Sequence, residues 1–171
     1  MHLVTREDEN LLLELLNTTP VTDGERVDEL SDTRESANWA VAHGGTGAAG
    51  EVKALRRVRD AIQNVINGTS PAQTLATHLE KITLRPRLHD GAVSWELRVP
   101  VDATLAARAL LAWTAINDRA PDRLRPCANP ECCSFLIDRS NANKAQWCSM
   151  AVCGNRMKVR RHYRRTRTSG E

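Results

Sequence analysis

The chain has 171 residues, 41% hydrophobic and 26% charged, with a formal net charge of +3. That size and balance fit one ordinary core plus a small appendage. No apolar run reaches about 18 residues and the first nine are charged without a signal-peptide core, so no membrane span is expected and a cytoplasmic protein is.

Taken in chain order, Thr5 with Asp8 forms a predicted capping box for a helix carrying Leu11, Leu12, Leu13, Leu15 and Leu16. Asn17-Thr18-Thr19-Pro20 stops it, and residues 20–30 read as loop. Ser31 or Asp32 caps a second helix with Trp39 and Val41, and Gly44-Gly45-Thr46-Gly47 ends it in an expected mobile loop. Residues 51–67 give the clearest helix: Val52, Leu55, Val58, Ile62, Val65 and Ile66 recur every three or four positions, with Asn67-Gly68 as the stop. Ser70-Pro71 starts another helix through Leu75 and Leu79. Ile82, Leu84 and Leu88 then precede Asp90-Gly91, and Val93, Trp95, Leu97 and Val99 alternate after it, which predicts a β-hairpin with one buried face. Residues 103–118 return to helix with Leu105, Ala109, Ala112, Trp113 and Ile116 on one side, and residues 119–126 read as a polar link. Aromatic residues are 4% of the chain, so Leu, Val, Ile and Ala must build the core.

All five cysteines lie between residues 127 and 153. Cys127 and Cys132 enclose four residues, as do Cys148 and Cys153, and fifteen residues separate the pairs. Clustering in an intracellular chain favours metal over disulfides. Two pairs of thiolates suit one tetrahedral zinc ion, a closed and therefore structural site; iron–sulfur ligation is the alternative that the same ligands allow. Cys133, adjacent to Cys132, is expected to be a spectator. Ala128-Asn129-Pro130-Glu131 forms one turn and Ser149-Met150-Ala151-Val152 the other, with a short hairpin expected inside 134–147.

These residues resemble the CGNR zinc-finger family: Cys127-Ala-Asn-Pro-Glu-Cys132, then Trp147-Cys-Ser-Met-Ala-Val-Cys-Gly-Asn-Arg156, with Asp138, Arg139 and Ser140 similar to its middle segment. The family usually has Gly after the second cysteine, where this chain has Cys133. Leu15-Leu16-Asn17-Thr18, the Trp39 helix and the 51–67 helix with Arg59 look like the ABATE domain of stress-related regulators, that family's N-terminal partner. The pairing implies a bacterial transcription regulator with the finger as its DNA-binding part. The expected architecture is α+β: a mostly helical domain with one β-hairpin over residues 1–120, then a treble-clef-like finger with a basic terminal helix over 121–171.

Charge is unevenly placed. Seven of the 24 basic residues lie between Arg156 and Arg167, against Glu171 alone, so residues 154–171 carry a net +6. Residues 1–153, with 17 basic and 20 acidic side chains, carry a net −3. A cationic end on a neutral-to-acidic body points to an anionic partner. Asn155, Arg156, Lys158, Arg160, Arg161, Arg164, Arg165 and Arg167 are the candidate nucleic-acid contacts, with Met157 and Val159 or Tyr163 packing toward the finger. Duplex DNA is the favoured partner. RNA is less favoured because Tyr163 is the segment's sole aromatic, and a protein-docking finger with a merely solubilising stripe is a further alternative.

The body shows no enzyme constellation: His2, His43, His78, His89 and His162 are isolated, and the glycines at 44–50 lack a phosphate-loop lysine. The expectation is a non-enzyme, with an enzyme carrying a structural finger as the rival. Trp39, Trp95, Trp113 and Arg59 are the candidates for an effector pocket, although core positions for the tryptophans and a structural role for Arg59, holding Asn17 or a carbonyl, are favoured. A homodimer is expected because one finger spans few base pairs. Cytoplasmic, nucleoid-associated localisation follows from that function.

Overall fold

A computed structural model describes residues 4–168, with side chains as far as Tyr163. The described elements, in chain order, begin with α1 (Arg6–Leu16), the short strands β1 (Val21–Thr22) and β2 (Glu25–Arg26), α2 (Thr33–Ala42) and α3 (Ala49–Ile66). A 3-10 turn (Ala72–Leu75) leads into the single turn α4 (Ala76–Leu79), then β3 (Thr83–His89), β4 (Ala92–Arg98) and α5 (Thr104–Arg119). Strands β5 (Leu124–Pro126) and β6 (Phe135–Ile137), a π-helical turn (Met150–Gly154) and α6 (Asn155–Thr168) complete it. The six strands form three separate antiparallel pairs, which makes the fold α+β.

The capping box forms as the sequence predicts: the Asp8 amide donates to Thr5 Oγ1 at 3.2 Å and the Thr5 amide donates back to Asp8 Oδ2 at 2.8 Å. Asp32, not Ser31, caps α2, accepting from the Arg34 and Glu35 amides. Helices α1, α3 and α5 bury their apolar stripes against one another. Leu12, Leu15 and Leu16 meet Leu55 and Ile62 of α3 and Leu105 and Leu110 of α5, all essentially inaccessible to solvent. Ala109 and Ala112 are also fully buried, and their small side chains let the helices approach closely. Each such Leu or Ile contributes about 1.5–3 kcal/mol by burial.

The same face of α3 also buries three polar side chains, Glu51, Arg59 and Gln63. Each satisfies loop groups that would otherwise be orphaned near the core. Glu51 Oε2 accepts from the Thr46 amide at 2.7 Å, the Gly47 amide at 2.9 Å and Thr46 Oγ1 at 3.0 Å. The glycine segment, expected to be a mobile loop, is therefore pinned to the helix that follows it. Gly47 needs its identity here: its φ is +72°, and an added Cβ would lie 3.0 Å from the Ala37 carbonyl oxygen. Gln63 donates to the Leu16 carbonyl at 2.8 Å and to Thr19 Oγ1 at 3.0 Å, closing the exit from α1.

Arg59 is 2% exposed. Its guanidinium meets Asp28 through both terminal nitrogens, at 2.6 and 3.0 Å, Asp60 through Nε at 2.9 Å and Thr18 Oγ1 at 3.1 Å. It does not hold Asn17. The 20–30 segment, expected to be loop throughout, contains the β1–β2 pair and delivers Asp28 to this arginine.

The β3–β4 hairpin has the predicted two-residue turn, with His89 opposite Ala92. Asp90 and Gly91 both take positive φ, 48° and 79°, the signature of a primed two-residue turn. Its pairs Leu84–Leu97, Pro86–Trp95 and Leu88–Val93 put six apolar side chains on one face. That face is not buried as expected: Leu88 is 76% exposed and Val93 54%. The strands lie on each other rather than on the three-helix core, with Leu79 and Ile82 at the root packed against the core. Residues 119–126 are likewise more than a link, because β5 lies within them.

The Arg59–Asp28 pair gives a pH prediction. Partial burial pushes the Asp28 carboxyl up, but hydrogen bonds from Arg59 and the Leu30 amide, with the charges of Arg59 and Arg56, outweigh it and hold it below its ordinary 3.8. A carboxylate lowered by folding stabilises above its unfolded value, and that contribution fades as pH falls through the lowered one. Asp28→Asn is expected to cost about 2–3 kcal/mol at pH 7, below the value for a wholly buried pair because Asp28 is partly open to solvent. In urea titrations the gap between Asp28→Asn and the native chain should close as pH drops below 3.8; a gap constant with pH refutes the assignment.

Candidate metal centre and nucleic-acid interface

Strands β5 and β6 pair with Leu124 opposite Ile137 and Pro126 opposite Phe135, so the Cys127–Cys132 turn is the loop of this hairpin. This corrects the expectation of a hairpin inside 134–147: Phe135–Ile137 pairs backward to 124–126. The Cys127 amide donates to the Ser134 carbonyl at 2.8 Å and the Cys132 amide to the Asn129 carbonyl at 2.9 Å, folding the turn into a knuckle. Ala128 reaches the Gln146 carbonyl at 2.8 Å, which draws the second cysteine pair alongside. Ser149 Oγ caps the π-helical turn through the Val152 amide. Cys153 sits in that turn, immediately before α6.

The sulfurs of Cys127, Cys132, Cys148 and Cys153 all lie within 4.8 Å of one another. Cys132–Cys148 and Cys148–Cys153 are each 3.7 Å apart. Zinc–thiolate bonds of about 2.3 Å in a tetrahedron require sulfur separations of about 3.8 Å. The four sulfurs are therefore positioned to coordinate one zinc ion. An iron–sulfur cluster would hold them further apart, because its own atoms stand between the ligands. All four positions of the tetrahedron come from protein, so the site is structural.

Electrostatics explains why a cation belongs there. Burial pushes the thiols of Cys148 and Cys153 up, and hydrogen-bonded neighbouring sulfurs add to it for Cys148. Burial also works against Cys132, but hydrogen bonds from Ser134, Cys153 and Cys148 bring it down to about 7. One sulfur ionises readily and its neighbours then resist; a dipositive ion lets all four be thiolates together. The resulting centre is net negative and sits against the positive N-terminal end of α6, a favourable placement.

Two supports escaped the sequence reading. Asn129 is fully buried, and its Nδ2 donates to Cys153 Sγ at 3.4 Å while Oδ1 accepts from the Glu131 amide at 3.3 Å. The sequence marked it only as turn chemistry. Asp138, 1% exposed, organises the loop between β6 and Cys148. It accepts from Ser140 Oγ at 2.6 Å and the Ser140 amide at 2.9 Å, the Ala145 amide at 2.7 Å, and Arg125 at 2.6 Å. These donors, with the Ser140 hydroxyl foremost, hold its carboxyl down at about 2.

The finger is fastened to the body through β6. Asn17, at the end of α1, accepts from the Phe135 amide at 2.7 Å and donates to the Phe135 carbonyl at 3.2 Å, as a neighbouring strand would. Phe135 and Leu124 are buried in the same cluster as the α1–α3–α5 leucines. Arg139 adds a hydrogen bond to Asn10 at 2.9 Å.

Helix α6 leaves this platform with its cations mostly outward. Lys158 and Arg161 are exposed, and neither makes an ion pair among the described residues. Arg156 is exposed, and its charge helps hold Glu131 below the ordinary carboxylate value. Arg160 is tied to Glu131. Asn155 is exposed and donates to the Ala151 carbonyl one turn back at 3.3 Å. Arg164, Arg165 and Arg167 fall on α6, but their side chains lie outside the described residues. Met157 is half-buried, whereas Val159 is 53% and Tyr163 65% exposed, so these two do not pack on the finger as expected. Gly154 is buried between Met150 and Trp147; a Cβ there would lie 2.9 Å from Met150 Sδ and 3.3 Å from the Trp147 ring.

The four proposed effector residues are placed differently from one another. Arg59 is spent on its acids in the core, and Trp39 stacks on His43 with ring centroids 3.9 Å apart. Trp113 is 8% exposed beside a cavity under β5, and Trp95 is 36% exposed on the hairpin.

Residues 9–123 match the ABATE family model, described as "Putative stress-induced transcription regulator", and residues 123–166 match the CGNR zinc finger. The chain belongs to the ABATE family, with a CGNR zinc finger at its C-terminal side. None of the curated proteins compared matches it. Among the described residues no helix is long and apolar enough to cross a membrane.

Asn129→Ala is expected to keep the zinc ligands but weaken zinc binding by about 10- to 100-fold, as loss of a ligand's hydrogen-bond support does. Competition with a chromogenic chelator measures it. The native protein should carry one zinc per chain by elemental analysis, and Cys148→Ser should lose it; an unchanged metal content in Cys148→Ser refutes the ligand set.

Proposed function

We propose that this ABATE-family protein is a zinc-dependent regulator that binds duplex DNA through α6, acts in the cytoplasm at the nucleoid, and is not an enzyme. The observation that carries the proposal is the exposure of Lys158 and Arg161, without an ion pair among the described residues, on a helix rooted in the metal centre, in a chain where eight of the fourteen arginines before α6 pair with acids. Arg59, Arg108, Arg119, Arg125 and Arg139 all pair with carboxylates of the body or finger. Of the four arginine and lysine side chains described on α6, one, Arg160, has an ion pair among the described residues. Fourteen helical residues extend about 21 Å, enough to lie in a major groove or along phosphates.

In this reading the body serves as sensor or dimerisation module. The apolar face of β3–β4 supports dimerisation, since a lone two-stranded hairpin with such a face is marginal until something covers it. Asn155 and Arg156, nearest the metal, would reach base edges. By their spacing along the helix, Lys158, Arg161 and Arg165 fall on one face, with Arg160, Arg164 and Arg167 at positions beside it.

Binding should weaken steeply with salt, because each neutralised phosphate releases counterions. Replacing Lys158 and Arg161 together by alanine should flatten the slope of log K against log salt by about 1.8 and leave zinc content unchanged. Fluorescence anisotropy with labelled duplex DNA measures both. A slope unmoved by the double substitution, or tighter binding to single-stranded RNA of equal length, rejects duplex DNA as the partner of α6.

A further inference from the structure

A groove of about 550 Å³ runs between the start of α2 and the outer face of α3. Its volume lies within the range of small-molecule sites. One wall carries Lys53, Arg56 and Arg57, which successive turns of α3 bring to one side. The opposite wall presents Ser31 and Thr33, and Ala37, Ala49 and Val52 supply apolar surface. Asp60 is the acid of the lining, and its Oδ1 already accepts from Arg59 at 2.9 Å. Arg56 shares Asp28 at 3.1 Å, whereas Lys53 and Arg57 make no ion pair among the described residues.

We propose that this groove binds a small amphipathic anion, a carboxylate or sulfonate with a short apolar body. Lys53 and Arg57 take the acid group, the hydroxyls of Ser31 and Thr33 orient it, and Ala37, Ala49 and Val52 receive the apolar part. A neutral apolar ligand would leave the cationic wall facing it unmatched, and a cationic one would meet three like charges. A fully hydrophilic anion would forgo the apolar wall. The acid group sits beside Arg56, which shares Asp28 with buried Arg59, so ligand charge lies one ion pair from the core.

The site gives the sensor role in the proposed function a location and a ligand class. It is distinct from the Trp39, Trp95, Trp113 and Arg59 set, none of which lines it.

The test uses the zinc-loaded full chain without DNA, so that it fails or succeeds apart from DNA binding. The probe is 8-anilinonaphthalene-1-sulfonate, whose fluorescence rises on entering an apolar site. Saturable binding of one probe per chain is expected, displaced by octanoate and not by octyltrimethylammonium. Lys53→Glu combined with Arg57→Glu, both exposed positions, should weaken probe binding at least tenfold. Thr33→Phe, which narrows the groove without altering charge, should weaken it as well. Replacing Lys158 and Arg161 by alanine should leave probe affinity unchanged. Equal binding to the native chain and both groove variants, displacement by the cationic amphiphile, or loss of binding on changing Lys158 and Arg161 overturns the proposal.

Discussion

Four sulfur atoms confined within 4.8 Å of one another set the terms for the C-terminal third of this protein. Sulfurs so close cannot all be thiolates in one another's presence without a cation, and as thiols they would be a crowded, poorly hydrogen-bonded cluster. A zinc ion turns that liability into the strongest local attraction in the finger. The loops that deliver the sulfurs have little apolar surface of their own, so metal binding supplies folding energy that a core would otherwise have to provide. Position follows from the same constraint: Cys153 is fixed to the metal and lies one residue before Gly154 and two before Asn155, so the root of α6 is fixed with it.

A rigid finger is useful only if it is also oriented, and β6 does that. Its backbone pairs with β5 on one side, and the Asn17 carboxamide takes both polar groups of Phe135 on the other. An asparagine is well matched to this, because a carboxamide offers one donor and one acceptor with the spacing of a peptide group. Phe135 and Leu124 then lie in the leucine cluster of α1, α3 and α5, so the finger and body share a continuous apolar core. The metal centre and the helical body thus form one mechanical path, and a change at α3 has packed side chains between it and α6.

Legibility from sequence divided along sequence separation. The Thr5–Asp8 box, the Asp32 cap, the Asp90–Gly91 turn and the cysteine spacing were all readable because the interacting residues lie within a few positions of each other. Strand β5 was not: it has three residues, one of them Pro126, and its partner begins nine residues later, across the zinc knuckle. The work of Asn17 was unreadable for the same reason, since its partner is 118 positions away. A structural role was favoured for Arg59, but nothing in the local sequence says that Asp28 answers it. Asn129 looked like an ordinary Asn-Pro turn, and only the fold brings Cys153 to its amide. The exposed hairpin face is the reverse case. Alternation was read as burial, yet alternation reports only that one face is apolar, and what covers it is decided by tertiary structure or by another chain.

Charge placement carries the last step from structure to role. A protein that needed arginines only for solubility could scatter them, and surface ion pairs with nearby acids would cost it little. In the body about half of the cations are paired in this way, with Glu9 serving both Arg119 and Arg139, and Glu96 serving both Arg87 and Arg98. The body's two cations without an ion pair among the described residues that share a concave surface, Lys53 and Arg57, face the groove of α2 and α3. Along α6 the acids run out: Glu131 answers Arg160, while Lys158 and Arg161 on either side of it project from a helix whose base is held by metal. Leaving positive charges close together on one helix costs self-repulsion, a cost relieved when phosphates or other anions take the place of the missing acids. Eight of the seventeen lysines and arginines before α6 have an acid partner among the described residues, against one of the four whose side chains are described on α6.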